Sequence, residues 1–234
     1  MKAVAIVQSS YIPWRGYFDL IRSVDEFILF DDMQYTRRDW RNRNKIKTPQ
    51  GTTWLTIPVK VKGKFLQKIC ETEIDDPSWA ESHWKSIESN YKRAAHFNSV
   101  AESLRRLYED ISSERMLSQV NLKFLRLLCD LLSISTKISL STDFPSFEGK
   151  TQRLVQLCMA AGGRTYLSGP SARDYIESEL FERAGIELRF ADYSDYREYP
   201  QLFGSFEPQV SVIDLLFNTG QAAATYMKPL LAKK

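Results

Sequence analysis

The sequence predicts an α/β fold of the Rossmann-like kind, built on a mostly parallel sheet. Apolar runs at residues 3–8 and 26–30 are separated by a helical stretch, and the interval is long enough for a parallel crossover. Strand-like and helical runs alternate again from residue 137 onward. No linker, repeat or low-complexity tract interrupts the chain. We therefore expect one α/β domain over residues 1–234.

Five strands are expected in this sheet, with the spatial order 3-2-1-4-5 and a crevice at the carboxyl ends of strands one and four. Glycines at positions 162 and 185 are expected to end two of the helices. The predicted strands are residues 3–8, 26–30, 137–140, 165–169 and 186–193. The helices predicted around them are residues 16–23, 151–161, 171–184 and 211–220.

Two stretches of the chain depart from the βα alternation. Residues 43–48 and 52–61 alternate in polarity around Pro49-Gln-Gly51, which predicts a β-hairpin insertion over residues 43–68. Pro58 places the second arm at an edge. Residues 76–134 follow a helical period and are expected to form a helical segment in the middle of the chain.

Composition limits the classes of protein that this chain can be. The 43% of hydrophobic residues are distributed in short runs, so no membrane span is expected. The chain opens directly on a strand pattern rather than a signal peptide. Its three cysteines are scattered, without a metal or redox spacing. These features predict a cytoplasmic protein.

Positive charge is concentrated in one segment of the chain. Residues 35–68 contain ten Lys or Arg residues and a single acid, Asp39, so this segment carries +9 in a chain whose net charge is +3. Such a patch favours an anionic small molecule, for example a phosphate, carboxylate or nucleotide. Nucleic acid is not the expected partner, since the segment lacks a basic helix or an RNA-binding signature.

The turn that follows the first strand combines polar and aromatic side chains. Ligands of open α/β sheets bind where strands end, so this turn is a candidate wall of the crevice. Its aromatic rings suit a base or a sugar; in the alternative, they pack the turn onto the core. Only one glycine is present, so a dinucleotide or phosphate-loop fingerprint is absent. The ligand-binding candidates are Gln8, Tyr11, Trp14, Gly16 and Tyr17.

Asp31 and Asp32 end the second strand and are candidate catalytic carboxylates. Neighbouring side chains of a strand point to opposite faces, so at most one of them faces a given ligand. The roles considered are a sugar hydroxyl contact, a divalent ion or a general base. The alternative is a turn cap or a salt bridge to an arginine. Gln34 follows them as a ligand-binding candidate.

The segment from Arg37 to Asn44 is the most specific local signal in the chain. Guanidinium groups, amides and an indole in close succession are typical of a clamp for a carboxylate or phosphate. In the alternative, Arg43 forms a salt bridge with Asp31, Asp32 or Asp39. The candidates for this clamp are Arg38, Trp40, Asn42, Arg43 and Asn44.

Other polar residues carry weaker signals. His96 is expected at a helix end, where the C-terminal dipole favours its cation, and it is a candidate acid or base, whereas His83 is interpreted as a packed residue. Ser168 and Gly169 follow the fourth strand and are expected to approach the same ligand. Ser211 and Asp214 have the spacing of a capping box. No cluster supplies the ligands of a metal site, and no cofactor can be named.

Taken together, these residues resemble the WbqC-like protein family, with one departure at Ser9, where the family commonly has proline. The resemblance implies a transferase of bacterial O-antigen and lipopolysaccharide biosynthesis, which moves glycine or another acyl group onto an amino sugar. It rests on Gln8-x-x-Tyr11-x-Pro13-Trp14-x-Gly16-Tyr17-Phe18, Asp31-Asp-x-Gln34, Trp40-x-Asn42-Arg43-Asn44, Trp54-Leu-Thr-x-Pro58, Tyr91, Tyr166-Leu-Ser-Gly169 and Ser211-x-x-Asp214-Leu-Leu-Phe-Asn-x-Gly220.

The expected ligand is therefore a nucleotide-linked sugar or an activated acyl donor. Two other classes stay open. The first βαβ unit is similar to that of adenylyl-transferring enzymes, although Pro13-Trp-Arg-Gly16 stands where those enzymes carry a His-x-x-His motif. The second class is a non-catalytic binding module of the same pathway.

Overall fold

The structure is a computed structural model that describes residues 1–230. The strands are β1 (Ala3–Val7), β2 (Glu26–Leu29), β3 (Arg43–Thr48), β4 (Gly51–Thr56), β5 (Lys137–Leu140), β6 (Thr165–Ser168) and β7 (Glu187–Phe190). The α-helices are α1 (Arg15–Arg22), α2 (Trp79–Tyr91), α3 (Phe97–Asp110), α4 (Leu117–Leu131), α5 (Thr151–Ala160), α6 (Ser178–Arg183) and α7 (Val212–Thr219).

Five strands form one parallel sheet, in the order β5-β2-β1-β6-β7. The predicted fold class and strand order are both confirmed. The central strand β1 is buried on both faces, as its continuous apolar run predicts. Val4 and Ile6 face the cluster that contains α5 and α6. Ala3 and Ala5 face the larger cluster built from α1, α7 and the central helices.

The hairpin β3–β4 forms a separate two-stranded sheet around the turn Pro49–Gln50. Its second arm ends at Thr56, so the prediction that it extends to residue 61 is wrong. Pro58 has no N–H to continue a ladder, and Val59 instead forms an antiparallel bridge with Ile74.

The helical segment contains α2, α3 and α4. The structure places His96 immediately before α3, with its N–H bonded to the carbonyl of Phe217 at 2.9 Å. The expectation that His96 lies at a helix C-terminus is therefore wrong. Within residues 1–230, none of the helices has the length and apolar content that a bilayer crossing requires.

The single helix predicted over residues 171–184 is also wrong. The chain forms a 3-10 turn at Pro170–Asp174 and resumes as α6. Glu177 lies between them in an extended conformation, and its N–H donates to the side-chain hydroxyl of Thr151 at 3.3 Å. A side chain of α5 thus takes up a backbone donor that a continuous helix would bond internally.

Asp214 forms the centre of a buried polar network. Ser211 caps α7 as predicted, but the Asp214 carboxylate does not complete a capping box. It accepts hydrogen bonds from the hydroxyls of Tyr91 (2.8 Å) and Tyr199 (2.9 Å) and from the amide of Gln201 (2.8 Å). Tyr91 belongs to α2, Asp214 to α7, and Tyr199 and Gln201 to the segment after β7. One carboxylate therefore holds three distant parts of the chain together.

We expect Tyr91→Phe to lower the free energy of unfolding by about 1–3 kcal/mol, because a buried acceptor loses its donor. The Tyr91 hydroxyl also accepts the N–H of Lys47 at 2.9 Å, which strengthens the effect. Tyr175→Phe is the control, since Tyr175 is 65% exposed. Urea unfolding of both variants measures the difference; equal stability of the two variants would contradict the role of the network.

Candidate functional site

A cavity of about 360 Å³ opens at the carboxyl end of β1, between the turn that follows this strand and the β-hairpin. The strand lies between β2 and β6, the position at which open α/β sheets bind ligands. The cavity therefore occupies the strand-one side of the predicted crevice. Its lining residues are Val7, Ser10, Pro13, Trp14, Tyr17, Trp40, Arg41, Asn44 and Gln209.

A larger cavity of about 780 Å³ lies at the opposite, amino edge of the sheet, where Ala3 and Thr165 begin their strands and Asp25 directly precedes β2. Volume alone does not select a site. Ligands of this architecture bind at the carboxyl edge, and the polar turns of the sequence lie there too. We take the smaller cavity as the candidate site.

The turn after β1 is held in a strained conformation. Ile12 has φ +36° and is completely buried, and a β-branched residue rarely adopts this region. The Asn44 amide donates to the carbonyls of Tyr11 (3.1 Å) and Ile12 (2.9 Å). The Tyr11 N–H donates to the carbonyl of Trp40 at 3.0 Å. The hairpin and the segment before it therefore fix the shape of this turn.

Asp31 holds the beginning of the same turn. Its carboxylate accepts the N–H of Ser9 at 2.8 Å, because parallel pairing of β1 and β2 brings the two strand ends together. Burial raises the pKa of the Asp31 carboxyl above its usual value, while Ser9 and Arg41 act in the opposite direction. The carboxylate thus contacts the backbone behind the cavity, and it is absent from the cavity lining.

Arg41 is the guanidinium that lines the cavity. Its Nη1 donates to the carbonyls of Gln8 (2.9 Å) and Ser9 (2.7 Å), and its Nε lies 3.7 Å from the carboxylate of Asp39. Its Nη2 forms no hydrogen bond with residues 1–230, and neither does its buried Nε. A fixed guanidinium with one free terminal nitrogen is suited to bind an anion.

The predicted clamp residues Arg38 and Arg43 lie outside this cavity. Arg43 packs over the indole of Trp54, with 4.1 Å between its guanidinium carbon and the ring centroid, and donates to the carbonyl of Arg38. Among the described residues, Arg43 also forms no salt bridge with Asp31, Asp32 or Asp39, which was the alternative. Trp54 in turn contacts Trp40, with ring centroids 5.3 Å apart. Cation–π contact therefore fixes Arg43 on the hairpin surface.

Tyr11 and Asn42 are buried inside the protein and do not form a wall of the cavity. The Tyr11 hydroxyl lies 2.5 Å from that of Tyr108 and 2.9 Å from Nδ1 of His83. Burial lowers the pKa of His83 to about 4, so this ring is neutral at pH 7. The Asn42 amide donates to the carbonyl of Ile57 at 2.8 Å. Both residues stabilise the core beneath the site.

Trp14 and Tyr17, two of the candidate ligand-binding residues, line the cavity. The Trp14 indole packs edge-on against Tyr193 and Tyr196, at centroid distances of 5.1 and 5.6 Å. Gly16 serves this packing, since a Cβ at this position would lie 2.3 Å from the Trp14 ring. The Tyr17 hydroxyl donates to the carbonyl of Gln8 at 3.0 Å.

Asp32 points away from Asp31, as expected for neighbours at a strand end. It accepts a hydrogen bond from the Ser141 hydroxyl at 2.6 Å and forms a salt bridge with Arg153. The Arg153 guanidinium also lies over the ring of Phe30, 4.6 Å from its centroid. Asp32 is therefore neutralised within the protein.

The remaining candidates occupy different places. Gln34 donates to the carbonyl of Phe65 at 2.9 Å, and the Gln8 side chain forms no hydrogen bond with residues 1–230. Ser168, Gly169 and His96 are absent from the cavity lining among the described residues. The His96 ring instead lies against Gly220, which has φ +53° and no Cβ.

Five lining residues of the cavity were not predicted from the sequence: Val7, Ser10, Pro13, Arg41 and Gln209. Asn121, which lies behind the lining, was not predicted either. Asn121 of α4 donates to the hydroxyl of Ser9 and to the carbonyl of Arg41, both at 2.9 Å. Arg41 carried a signal through its place in the basic segment, and Pro13 through the motif that it shares with the family. Within residues 1–230 no group of three or more His, Cys, Asp or Glu side chains could hold a metal ion.

Comparisons with known proteins agree with the resemblance found in the sequence. A model of the WbqC-like protein family matches residues 8–226. The chain is 53% identical over 228 residues to an uncharacterized protein of Mycobacterium tuberculosis, Rv1507c; the match covers 97% of this chain and 98% of that protein. No solved structure matches the chain.

We expect Gly16→Ala to destabilise the protein by about 1–3 kcal/mol, because the new methyl group displaces the Trp14 indole. Replacing glycine by alanine normally stabilises a helix, so a decrease in the free energy of unfolding indicates a clash with the Trp14 indole. Gly169→Ala is the control, since no atom lies within 4 Å of its Cβ position. Thermal unfolding and tryptophan fluorescence report both changes. A Gly16→Ala protein as stable as the wild type would contradict the packing described here.

Proposed function

We propose, since this chain belongs to the WbqC-like protein family, that it is a transferase of bacterial surface-polysaccharide (O-antigen) biosynthesis in the cytoplasm. It moves an acyl or aminoacyl group, such as glycine, onto an amino sugar or a nucleotide-linked sugar. The observation that carries the proposal is the free terminal nitrogen of Arg41 in a cavity bordered by Trp14 and Trp40.

The chemistry of the cavity suits an anion joined to a flat or apolar group. Arg41 supplies a charge-assisted hydrogen bond to a phosphate or carboxylate. The indoles of Trp14 and Trp40 supply surfaces for a base or for the apolar face of a sugar. A volume of about 360 Å³ is within the range of small-molecule sites.

Acyl transfer to an amine also needs hydrogen-bonding groups near the reacting atoms. Ser10 lines the cavity, and its hydroxyl, unlike that of Ser9, forms no hydrogen bond with residues 1–230, so it is available to a bound amine or carbonyl. In this proposal Asp31 acts behind the turn, by holding the Ser9 N–H and the backbone that carries Ser10.

A non-catalytic binding module is the second candidate function. The salt bridge between Asp32 and Arg153 favours it, because internal pairing of a carboxylate is what a binding module predicts. The module binds the same anionic sugar but releases it unchanged.

We expect UDP- or dTDP-linked amino sugars to raise the melting temperature, and Trp40→Ala to weaken that binding by about 1–3 kcal/mol, the range for a stacked base. The fold is expected to tolerate the change, since Trp40 is 41% exposed. Tyr175→Ala, at another exposed aromatic ring, is the control. Isothermal calorimetry measures the affinities.

Absence of binding across UDP-, dTDP-, ATP- and CoA-type ligands would remove the proposal. If Trp40→Ala leaves the affinity unchanged, the ligand binds outside this cavity, and the cavity is not the site. Incubation of the bound amino sugar with an acyl or glycyl donor, followed by mass spectrometry, separates the transferase from the binding module. Magnesium-dependent release of pyrophosphate from ATP would instead support an adenylate-forming enzyme.

A further inference from the structure

Two large apolar side chains project from the loop that follows the hairpin. Phe65 and Leu66 are each 78% exposed. They lie at the tip of residues 61–68, which we call the apolar loop. Backbone hydrogen bonds from Lys64 to Val61 and from Gln67 to Lys64 shape this tip. Adjacent apolar residues at this exposure indicate an interaction surface.

The apolar loop is anchored to the protein at several points. The Gln34 amide donates to the carbonyl of Phe65, and the Gln67 amide donates to the carbonyl of Lys60, both at 2.9 Å. The N–H of Tyr35 donates to the carbonyl of Gln67, also at 2.9 Å. The loop therefore presents its two apolar side chains from a fixed backbone.

Positive charges surround this apolar tip. Lys62, Lys68 and Arg37 are exposed and form no ion pair with residues 1–230, although the Arg37 guanidinium donates to the carbonyl of Val61. Lys60 and Lys64 share one acid, Glu73, at 2.9 and 2.7 Å. The other nearby acid, Glu71, accepts the backbone N–H of Lys68. Five cations against two carboxylates leave the surface positive.

We propose that the apolar loop docks on an anionic lipid bilayer, with Phe65 and Leu66 in the headgroup region and the cations around them over the lipid phosphates. An apolar tip within a basic ring is complementary to such a surface. Two side chains are too few for a stable protein interface, which buries about 800 Å² on each partner.

Docking through this loop also orients the molecule. The chain after the apolar loop is bonded to the segment that directly follows β2: the N–H of Ile69 donates to the carbonyl of Met33 at 2.9 Å, and that of Cys70 to the carbonyl of Asp31 at 2.8 Å. The loop is therefore attached at the carboxyl edge of the sheet, the edge at which the candidate cavity opens. A bound molecule turns this edge toward the membrane.

Vesicle sedimentation tests the proposal. We expect the full chain to pellet with vesicles of phosphatidylcholine and phosphatidylglycerol, and to stay in solution with phosphatidylcholine alone. The double variant Phe65→Ser, Leu66→Ser should lower partitioning at least about tenfold, as should Lys62→Glu, Lys68→Glu. Met159→Ser is the matched control, because Met159 is an exposed apolar residue (55%) on α5 and not part of the loop.

Circular dichroism verifies that each variant is folded. Wild-type protein that remains in solution with anionic vesicles would overturn the proposal, as would a Phe65→Ser, Leu66→Ser variant that pellets like the wild type. Analytical ultracentrifugation tests whether a second copy of the chain binds the loop instead. A dimer that these substitutions dissociate, without vesicle binding by the wild type, would assign the loop to a second copy of the chain and overturn membrane docking.

Discussion

The backbone of the turn after β1 is the constraint on which the candidate site depends. This turn contains a buried isoleucine at positive φ, a conformation that persists only where surrounding groups enforce it. Asp31 holds the turn from β2 and Asn44 holds it from β3. Arg41 holds its carbonyls from the intervening segment. The cavity therefore takes its shape from groups that lie outside the turn itself.

This arrangement couples the hairpin to the site. The hairpin adds no strand to the main sheet, yet Asn44 fixes the turn and the segment before β3 supplies Trp40 and Arg41 to the cavity. Gln209, which precedes α7, completes the lining of the cavity. The buried Asp214 network holds α7 against α2. The hairpin also contributes Ile46 and Leu55 to the main core, so it supports both the site and the fold.

The strand order could be predicted from sequence, because buried apolar runs and crossover lengths restrict a parallel sheet to few topologies. The site could be predicted only in part. Trp14, Tyr17, Trp40 and Asn44 line the cavity, but which arginine enters it depends on how the chain turns before β3. The residue types of the segment favoured Arg38 and Arg43, but Arg43 packs on Trp54. Asp214 finds its Tyr91 donor 123 residues away, which local patterns do not reveal.

Hydrogen–deuterium exchange in the presence of a UDP-linked amino sugar tests most directly whether the turn and the segment around Arg41 form the binding site. We expect slower exchange at residues 8–17 and 40–44, which contain most of the cavity lining, and little change elsewhere. Protection confined to the amino-edge cavity around Asp25 and Arg189 would contradict it.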